Sequence, residues 1–188
     1  MSLRVRMLLL SCAFEGGLLL LAVLLGGLLG VNPLSTLSQA PARGALLGLM
    51  ATLPLLPAFG LAMGSSWPPL ARIRRLLLTD FMPLLRDNGP LDLLLISALA
   101  GLGEEALFRG LVQAAVADWT TPMVGLVAAS LLFGLAHAVT RAYVVIAAAM
   151  GIYLGLLFEY AGGLLPAAIA HGAYDFVALA YLRRRISG

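Results

Sequence analysis

The sequence predicts an all-α fold, a polytopic transmembrane helical bundle of about six spans with both termini in the cytoplasm. The composition is 61% hydrophobic and only 11% charged, whereas soluble domains carry about 25% charged residues. Apolar stretches close to the ~20 residues that a spanning helix needs recur along the chain. Arginines gather at the ends of these stretches, which is typical of membrane proteins.

Asn-Pro, Thr-Pro and Gly-Gly pairs separate several of the predicted spans, because these residues favour turns and end helices. The six spans cover approximately residues 7–31, 43–64, 91–117, 123–139, 142–158 and 164–182.

The length of 188 residues indicates one integral membrane domain, residues 1–188. Within it we expect two N-terminal spans in residues 1–64, a cytoplasmic basic loop at residues 65–90, and a catalytic core of about four spans at residues 91–182.

All twelve basic residues are arginine. Threading six spans from a cytoplasmic N-terminus puts ten of them on the cytoplasmic side, and such an excess sets the orientation of a membrane protein. These ten are Arg4, Arg6, Arg72, Arg74, Arg75, Arg86, Arg141, Arg183, Arg184 and Arg185. This placement indicates the lipid bilayer as a partner and no nucleic acid.

Two carboxylates and an arginine lie inside the third predicted span, in Glu104-Glu105-Ala-Leu-Phe-Arg109. Residues four apart share a helix face, so we expect Glu105 and Arg109 to form an ion pair. Glu104 is turned by about 100° from its neighbour and is left free to point into the bundle as a candidate base. Ionisable groups in a membrane cost a few kcal/mol or more and are by default functional or paired.

The two histidines lie on later spans, each one helical turn from a partner, in Phe133-Gly-Leu-Ala-His137 and His171-Gly-Ala-Tyr-Asp175. We expect His137 to lie next to Glu104 and to share the polarisation of a water molecule. The pair of His171 and Asp175 can orient the imidazole or offer donors to an oxyanion. Phe133 is expected to pack as a wall beside the site.

In these three motifs the sequence resembles the CPBP intramembrane protease family, also called the ABI or CAAX-protease-like family. The family signature is E-E-x-x-x-R, F-x-x-x-H and H-x-x-x-N or H-x-x-x-D on successive hydrophobic segments, and residues 90–180 match all three in order. The resemblance implies an intramembrane glutamic endopeptidase that uses no cofactor. Some bacterial relatives are myxosortase-like proteases that trim C-terminal sorting anchors, so the bacterial cytoplasmic membrane is the expected location.

The resemblance also implies roles for the site residues. Glu104 and His137 would activate the attacking water, His171 and Asp175 would stabilise the tetrahedral oxyanion, and the ion pair of the first motif would hold the geometry. The expected substrate is a membrane-anchored or amphipathic protein or peptide that enters between helices. The oligomeric state stays open.

Position 175 departs from the prenyl-protein proteases of the family, which carry asparagine there. An asparagine amide can donate to an oxyanion, whereas an ionised aspartate only accepts hydrogen bonds. Either Asp175 is protonated, or it only orients His171, which then donates alone.

Three other interpretations stay open. A zinc-dependent version of the protease could use Glu104, His137 and His171 as a two-histidine, one-carboxylate set, although the chain has no H-E-x-x-H. A non-catalytic membrane binding or bacteriocin-immunity protein could keep the same fold. A proton-coupled transporter could also use buried Glu and His, but six spans without an inverted repeat disfavour it.

The predicted spans leave Glu104 and His137 at different depths. On straight helices Glu104 lies about 13 residues, or about 20 Å, from the cytoplasmic edge, and His137 lies only about four residues from it. We therefore expect the third span to begin later than Leu91. Four acids near span ends are expected to be structural or interfacial, namely Glu15, Asp92, Asp118 and Glu159.

Overall fold

The computed structural model describes residues 1–37 and 40–187, and all regular structure in this part of the chain is helical. Two π-helical segments, Leu77–Phe81 and Ala106–Gln113, join α4 to α5 and α6 to α7. The α-helices are α1 (Leu3–Leu29), α2 (Pro41–Thr52), α3 (Leu55–Gly64), α4 (Pro68–Leu76), α5 (Met82–Leu85), α6 (Pro90–Glu105), α7 (Ala114–Trp119), α8 (Pro122–Ala136), α9 (Arg141–Ala161) and α10 (Leu164–Ser187). The all-helical bundle that the composition predicts is confirmed.

Proline and left-handed glycine set many of the helix boundaries. Four helices, α2, α4, α6 and α8, begin at a proline, which lacks an N–H that the first turn would leave unpaired. The helices α1 and α9 end at Gly30 and Gly162, whose φ angles are 72° and 66°. Glycine adopts this conformation without the steric penalty of a Cβ atom.

Four helical stretches are long and apolar enough to cross a membrane, namely Leu3–Leu29, Pro41–Gly64, Arg141–Ala161 and Leu164–Ile186. Large apolar side chains such as Leu28, Leu131 and Val145 face outwards, which suits a lipid environment rather than water. The protein is therefore an integral membrane protein. The count of six spans stays a prediction, because α8 has 15 residues, or about 22 Å, and the α6–α7 unit carries charges in its middle.

The start of α6 lies at the same end of the bundle as both chain termini. Arg4 donates two hydrogen bonds of 2.6 and 3.0 Å to the Asp92 carboxylate. Met7 and Ile186 pack around the apolar cluster that includes Leu93. The assignment of this end to the cytoplasm rests on the distribution of arginine and stays a prediction.

Residues 65–91 contain more helix than the word loop suggests. The predicted basic loop at residues 65–90 is largely helical, since it contains α4, a π segment and α5. The third long helix begins at Pro90, and the expectation that the span within it begins later than Leu91 stays a prediction. Asp92 stabilises this start, because its carboxylate accepts from the Gly89 N–H at 2.8 Å while it also binds Arg4.

The helices α6 and α10 approach closely at glycine. A Cβ atom at Gly101 would overlap the carbonyl oxygen of Ala168 and would lie 2.8 Å from the nitrogen of Gly172. Small residues of this kind let helix backbones meet in a membrane protein. This contact fixes the spacing between the helix that carries Glu104 and the helix that carries His171.

We predict that Gly101→Ala destabilises the fold by about 1–3 kcal/mol, the usual cost of overpacking. The measurement is thermal unfolding of the purified protein in detergent. Gly27→Ala is the matched control, because nothing lies within 4 Å of a Cβ atom there. Equal melting temperatures for Gly101→Ala and the wild type would contradict the packing that we describe.

Candidate active site

A helical hairpin brings Glu104 and His137 to the same depth. The turn at Thr120–Thr121 joins α7 to α8. Glu104 lies 16 residues before Thr120, and His137 lies 16 residues after Thr121. Because the two arms of the hairpin are antiparallel, equal distances from the turn place both residues side by side. The difference in depth expected from the sequence disappears, since α8 ends at Ala136, at the level of Glu104.

The carboxylate of Glu104 faces the imidazole of His137. Glu104 Oε2 lies 3.6 Å from His137 Nε2, which is too long for a direct hydrogen bond. His137 Nδ1 lies 2.8 Å from the carbonyl oxygen of Phe133. A carbonyl oxygen only accepts, so Nδ1 carries the hydrogen, and Nε2 of the neutral ring presents its lone pair towards Glu104. The pair can thus hold a water molecule between two basic atoms.

Glu105 is the centre of a buried polar network. Its Oε1 atom accepts from Arg109 Nη1 at 2.7 Å and from His171 Nδ1 at 2.8 Å. The expected ion pair of Glu105 and Arg109 is present, and the sequence did not indicate that His171 shares the same oxygen. Since His171 lies on α10, this oxygen ties α10 to the helix that carries the first motif.

The π segment Ala106–Gln113 carries this network on to α9. Arg109 Nη2 donates to the carbonyl oxygen of Gly151 at 2.9 Å, and Gln113 Nε2 donates to that of Gly155 at 3.2 Å. A Cβ atom at Gly151 would lie 2.9 Å from Ser130 Cα, so glycine lets α8 and α9 pack closely at this level. Local π-helix is frequent at functional sites.

His171 and Asp175 are loosely associated. His171 Nε2 lies 3.5 Å from Asp175 Oδ2, at the outer limit of hydrogen-bond length. His171 is therefore held firmly on its Nδ1 side by Glu105 and only weakly on its Nε2 side. The weakly held side can turn to another acceptor.

Phe133 forms a wall of the site, as expected. Its ring centroid lies 4.5 Å from that of His137 and 5.7 Å from that of His171. The guanidinium carbon of Arg109 lies 4.6 Å from the same centroid, a distance suited to a cation–π interaction. An edge-to-face contact with Phe108, at 5.1 Å, supports the ring.

Exposure separates the site residues into two groups. The side chains of Glu105 and Arg109 are 0% exposed, so they cannot touch a substrate. Those of Glu104, His137 and Asp175 are 11%, 27% and 32% exposed. The first pair can only support the site, whereas the other three side chains are partly exposed, although Glu104 Oε2 itself is buried without a hydrogen-bond partner.

Two further residues belong to this region, and sequence reasoning missed both. Glu15 on α1 is within electrostatic range of Glu104, His171 and Asp175, and its Oε2 atom is buried without a hydrogen-bond partner. Of the structural and interfacial positions expected for Glu15, this burial favours the structural one. The only signal was an acidic residue within an apolar span.

The second missed residue is Tyr143, in the first turn of α9. Its ring centroid lies 6.2 Å from that of His137, and the side chain is within electrostatic range of Glu104 and Asp175. Nothing in the sequence pointed to Tyr143, because it lies outside the three motifs.

A metal site is not assembled in the described residues. Within residues 1–37 and 40–187, no three His, Cys, Asp or Glu side chains are grouped so that they could hold an ion. In the zinc set considered above, His171 directs Nδ1 at Glu105 rather than at Glu104 or His137.

The fold and the site define a polytopic helical membrane protein. Its Glu104–His137 pair lies next to a buried ionic network centred on Glu105. The family model of the type II CAAX prenyl endopeptidase Rce1-like proteins matches residues 86–177. This segment begins just before α6, ends within α10 and includes all seven predicted site residues. Over that segment, just under half of the chain, the sequence is similar to this family of membrane proteases. No curated protein and no solved structure gave a significant match to the chain.

We predict that Glu105→Gln lowers the free energy of unfolding by about 3 kcal/mol, because it leaves a buried arginine without its charged partner. Unfolding in mixed micelles measures this change. Asp87→Asn is the control, since the pair of Arg86 and Asp87 is 65% and 51% exposed and such pairs contribute less than about 1 kcal/mol. Equal stabilities of the two variants would refute the structural role of Glu105.

Proposed function

We propose that the protein is an intramembrane endopeptidase in which Glu104 and His137 activate a water molecule against a peptide bond of a membrane-anchored or amphipathic substrate. The observation that carries the proposal is the 3.6 Å approach of Glu104 Oε2, a buried oxygen without a hydrogen-bond partner, to His137 Nε2 on a side chain that is 27% exposed. The match to a protease family over residues 86–177 supports it.

The proposed reaction is a hydrolysis in two steps. The Glu104–His137 pair takes a proton from water, and the resulting hydroxide adds to the carbonyl carbon of the substrate. The carbonyl oxygen becomes an oxyanion, which accepts a hydrogen bond from His171 Nε2. When the intermediate collapses, the C–N bond breaks and the nitrogen takes the stored proton, which leaves a carboxyl group and an amine.

Asp175 orients His171 in this mechanism and does not itself donate. Its distance of 3.5 Å from Nε2 is long enough that the imidazole can release it and turn to the oxyanion. Glu105 keeps the ring in place meanwhile through the shorter bond of 2.8 Å to Nδ1. Glu105 and Arg109 thus act by position alone, and Phe133 closes the site on the apolar side.

The surroundings of the site support this substrate class. Apolar faces of α8 and α9 flank it, with Leu135 and Val145 exposed to the lipid side. A hydrophobic segment or lipid anchor can therefore reach Glu104 laterally from the membrane. Removal of a C-terminal sorting anchor, as by the myxosortase-like relatives, is one form of this activity.

We predict that Glu104→Gln and His137→Ala each lower the rate of cleavage by at least about 100-fold, because general base catalysis contributes 10²–10⁴-fold. Folding should be unaffected, as judged by the melting temperature. Asp118→Asn is the matched carboxylate control, since Asp118 is exposed on α7. Full activity of Glu104→Gln on a true substrate would show that Glu104 is not the base.

The experiment that tests the function compares protein termini in membranes of cells that carry the wild type or Glu104→Gln. We expect a set of new N-termini and C-termini that appears only with the wild type, and this set would name the substrate and the bond. If no terminus differs while both forms are well expressed, a membrane binding or immunity protein is the better interpretation.

We also predict that cleavage survives 1,10-phenanthroline and EDTA, since the mechanism needs no metal ion. The measurement is the yield of the wild-type-specific termini in isolated membranes with and without chelator. A loss of activity that added zinc restores would instead support the zinc-dependent alternative with Glu104, His137 and His171.

A further inference from the structure

The hydrogen-bond donors around the site are few. His137 gives its Nδ1 hydrogen to Phe133, His171 gives its Nδ1 hydrogen to Glu105, and Arg109 is fully buried. Glu104 and Asp175, when ionised, only accept. Among these five side chains the remaining donor is His171 Nε2. This atom carries a hydrogen only when the imidazole ring holds its second proton.

An oxyanion needs donors that are in place before the charge develops. His171 Nε2 faces Asp175 at 3.5 Å, so a carboxylate competes with the oxyanion for this hydrogen. A site with this donor alone would stabilise the oxyanion of the substrate only weakly. A second donor near Glu104 and His137 would remove the difficulty.

Tyr143 lies near the site and carries a hydroxyl group that can donate. Its ring meets that of His137 edge to face, at 6.2 Å and 61°, and the side chain is within electrostatic range of both Glu104 and Asp175. The hydroxyl makes no hydrogen bond within residues 1–37 and 40–187, and the residue is half-buried. The ring therefore lies beside His137 of the proposed water-activating pair, and its hydroxyl has no partner in this part of the chain that would hold it elsewhere.

The backbone of Tyr143 is fixed by a helix cap. Its N–H donates to Thr140 Oγ1 at 3.1 Å, which caps the first turn of α9. The side chain thus starts from a defined point only a few residues after His137, where α8 has ended and α9 begins. A donor on a capped helix costs little reorganisation when charge develops.

We propose that Tyr143 is a catalytic residue, whose hydroxyl donates a hydrogen bond to the substrate carbonyl oxygen as it becomes an oxyanion. The proposal rests on the proposed function and adds to it a donor that is present in every protonation state of His171. The proton stays on the phenol throughout, so hydrolysis consumes one water molecule per bond as before.

Tyr143→Phe tests the proposal, because it keeps the ring and its contact with His137 and removes only the hydroxyl. The substrate is a fluorogenic peptide that spans the bond found by the comparison of termini. We expect kcat to fall by about 100-fold with KM unchanged, the effect of losing one oxyanion donor. A residue with a purely structural role would change the melting temperature or KM instead.

Two other tyrosines serve as controls for the loss of a hydroxyl. Tyr153→Phe, on the same helix, removes a bond of 2.7 Å to the carbonyl oxygen of Ala51 and should leave kcat unchanged. Tyr174 lies within electrostatic range of Asp175 and Tyr143 but stacks edge-on against Phe59, at 6.0 Å. Tyr174→Phe should leave kcat within about threefold of the wild-type value. This change is much smaller than the fall of about 100-fold expected when an oxyanion donor is lost.

The outcomes separate the two proposals. If the wild type cleaves, Glu104→Gln does not, and Tyr143→Phe retains the wild-type kcat, the proposed function stands and the Tyr143 proposal is overturned. A large loss in Tyr174→Phe with none in Tyr143→Phe also overturns it. If the wild type produces no new terminus, both proposals fail together.

Discussion

One carboxylate oxygen, Glu105 Oε1, organises the interior of this protein. It accepts a charged hydrogen bond from Arg109 and a second hydrogen bond from His171, and Arg109 continues to the backbone of α9. Four parts of the chain, namely α6, the π segment, α9 and α10, therefore meet through three polar side chains in an apolar setting. Removing any one of them would strand a buried polar group, which is costly.

The site above this network depends on a geometric constraint, the hairpin of the α6–α7 unit with α8. Because Glu104 and His137 lie equally far from the turn, they come together wherever that turn lies in the membrane. The shortness of α8 then matters, since the chain leaves it at His137 and begins α9 a few residues later. Non-helical backbone in a membrane protein is tolerated where it is buried in protein or lines a water-filled space, and the chain between α8 and α9 is short.

The side chains of the site differ in how far they are buried. The buried pair of Glu105 and Arg109 holds the geometry of the site, while the side chains of Glu104, His137 and Asp175 are 11%, 27% and 32% exposed. The N-terminal helix also takes part, since Glu15 lies near the same carboxylates although residues 86–177 alone match the family. Four acidic side chains around one arginine and two histidines make the region electrostatically sensitive, so small changes on α1 can affect a centre on α6, α8 and α10.

The sequence by itself determined the helical membrane fold and the residues of the three motifs. Both follow from local rules. A largely hydrophobic composition favours insertion into a bilayer, and residues four apart on a helix lie next to each other, as Glu105 does to Arg109 and His171 to Asp175. Only the tertiary structure decided which helices meet. The depth of His137, the bond of His171 to Glu105, and the nearness of Tyr143 and Glu15 depend on hairpin length and on glycine contacts such as that of Gly101 with Gly172. Contacts between helices are set by packing over the whole bundle, and the periodicity of a single helix contains no information about them.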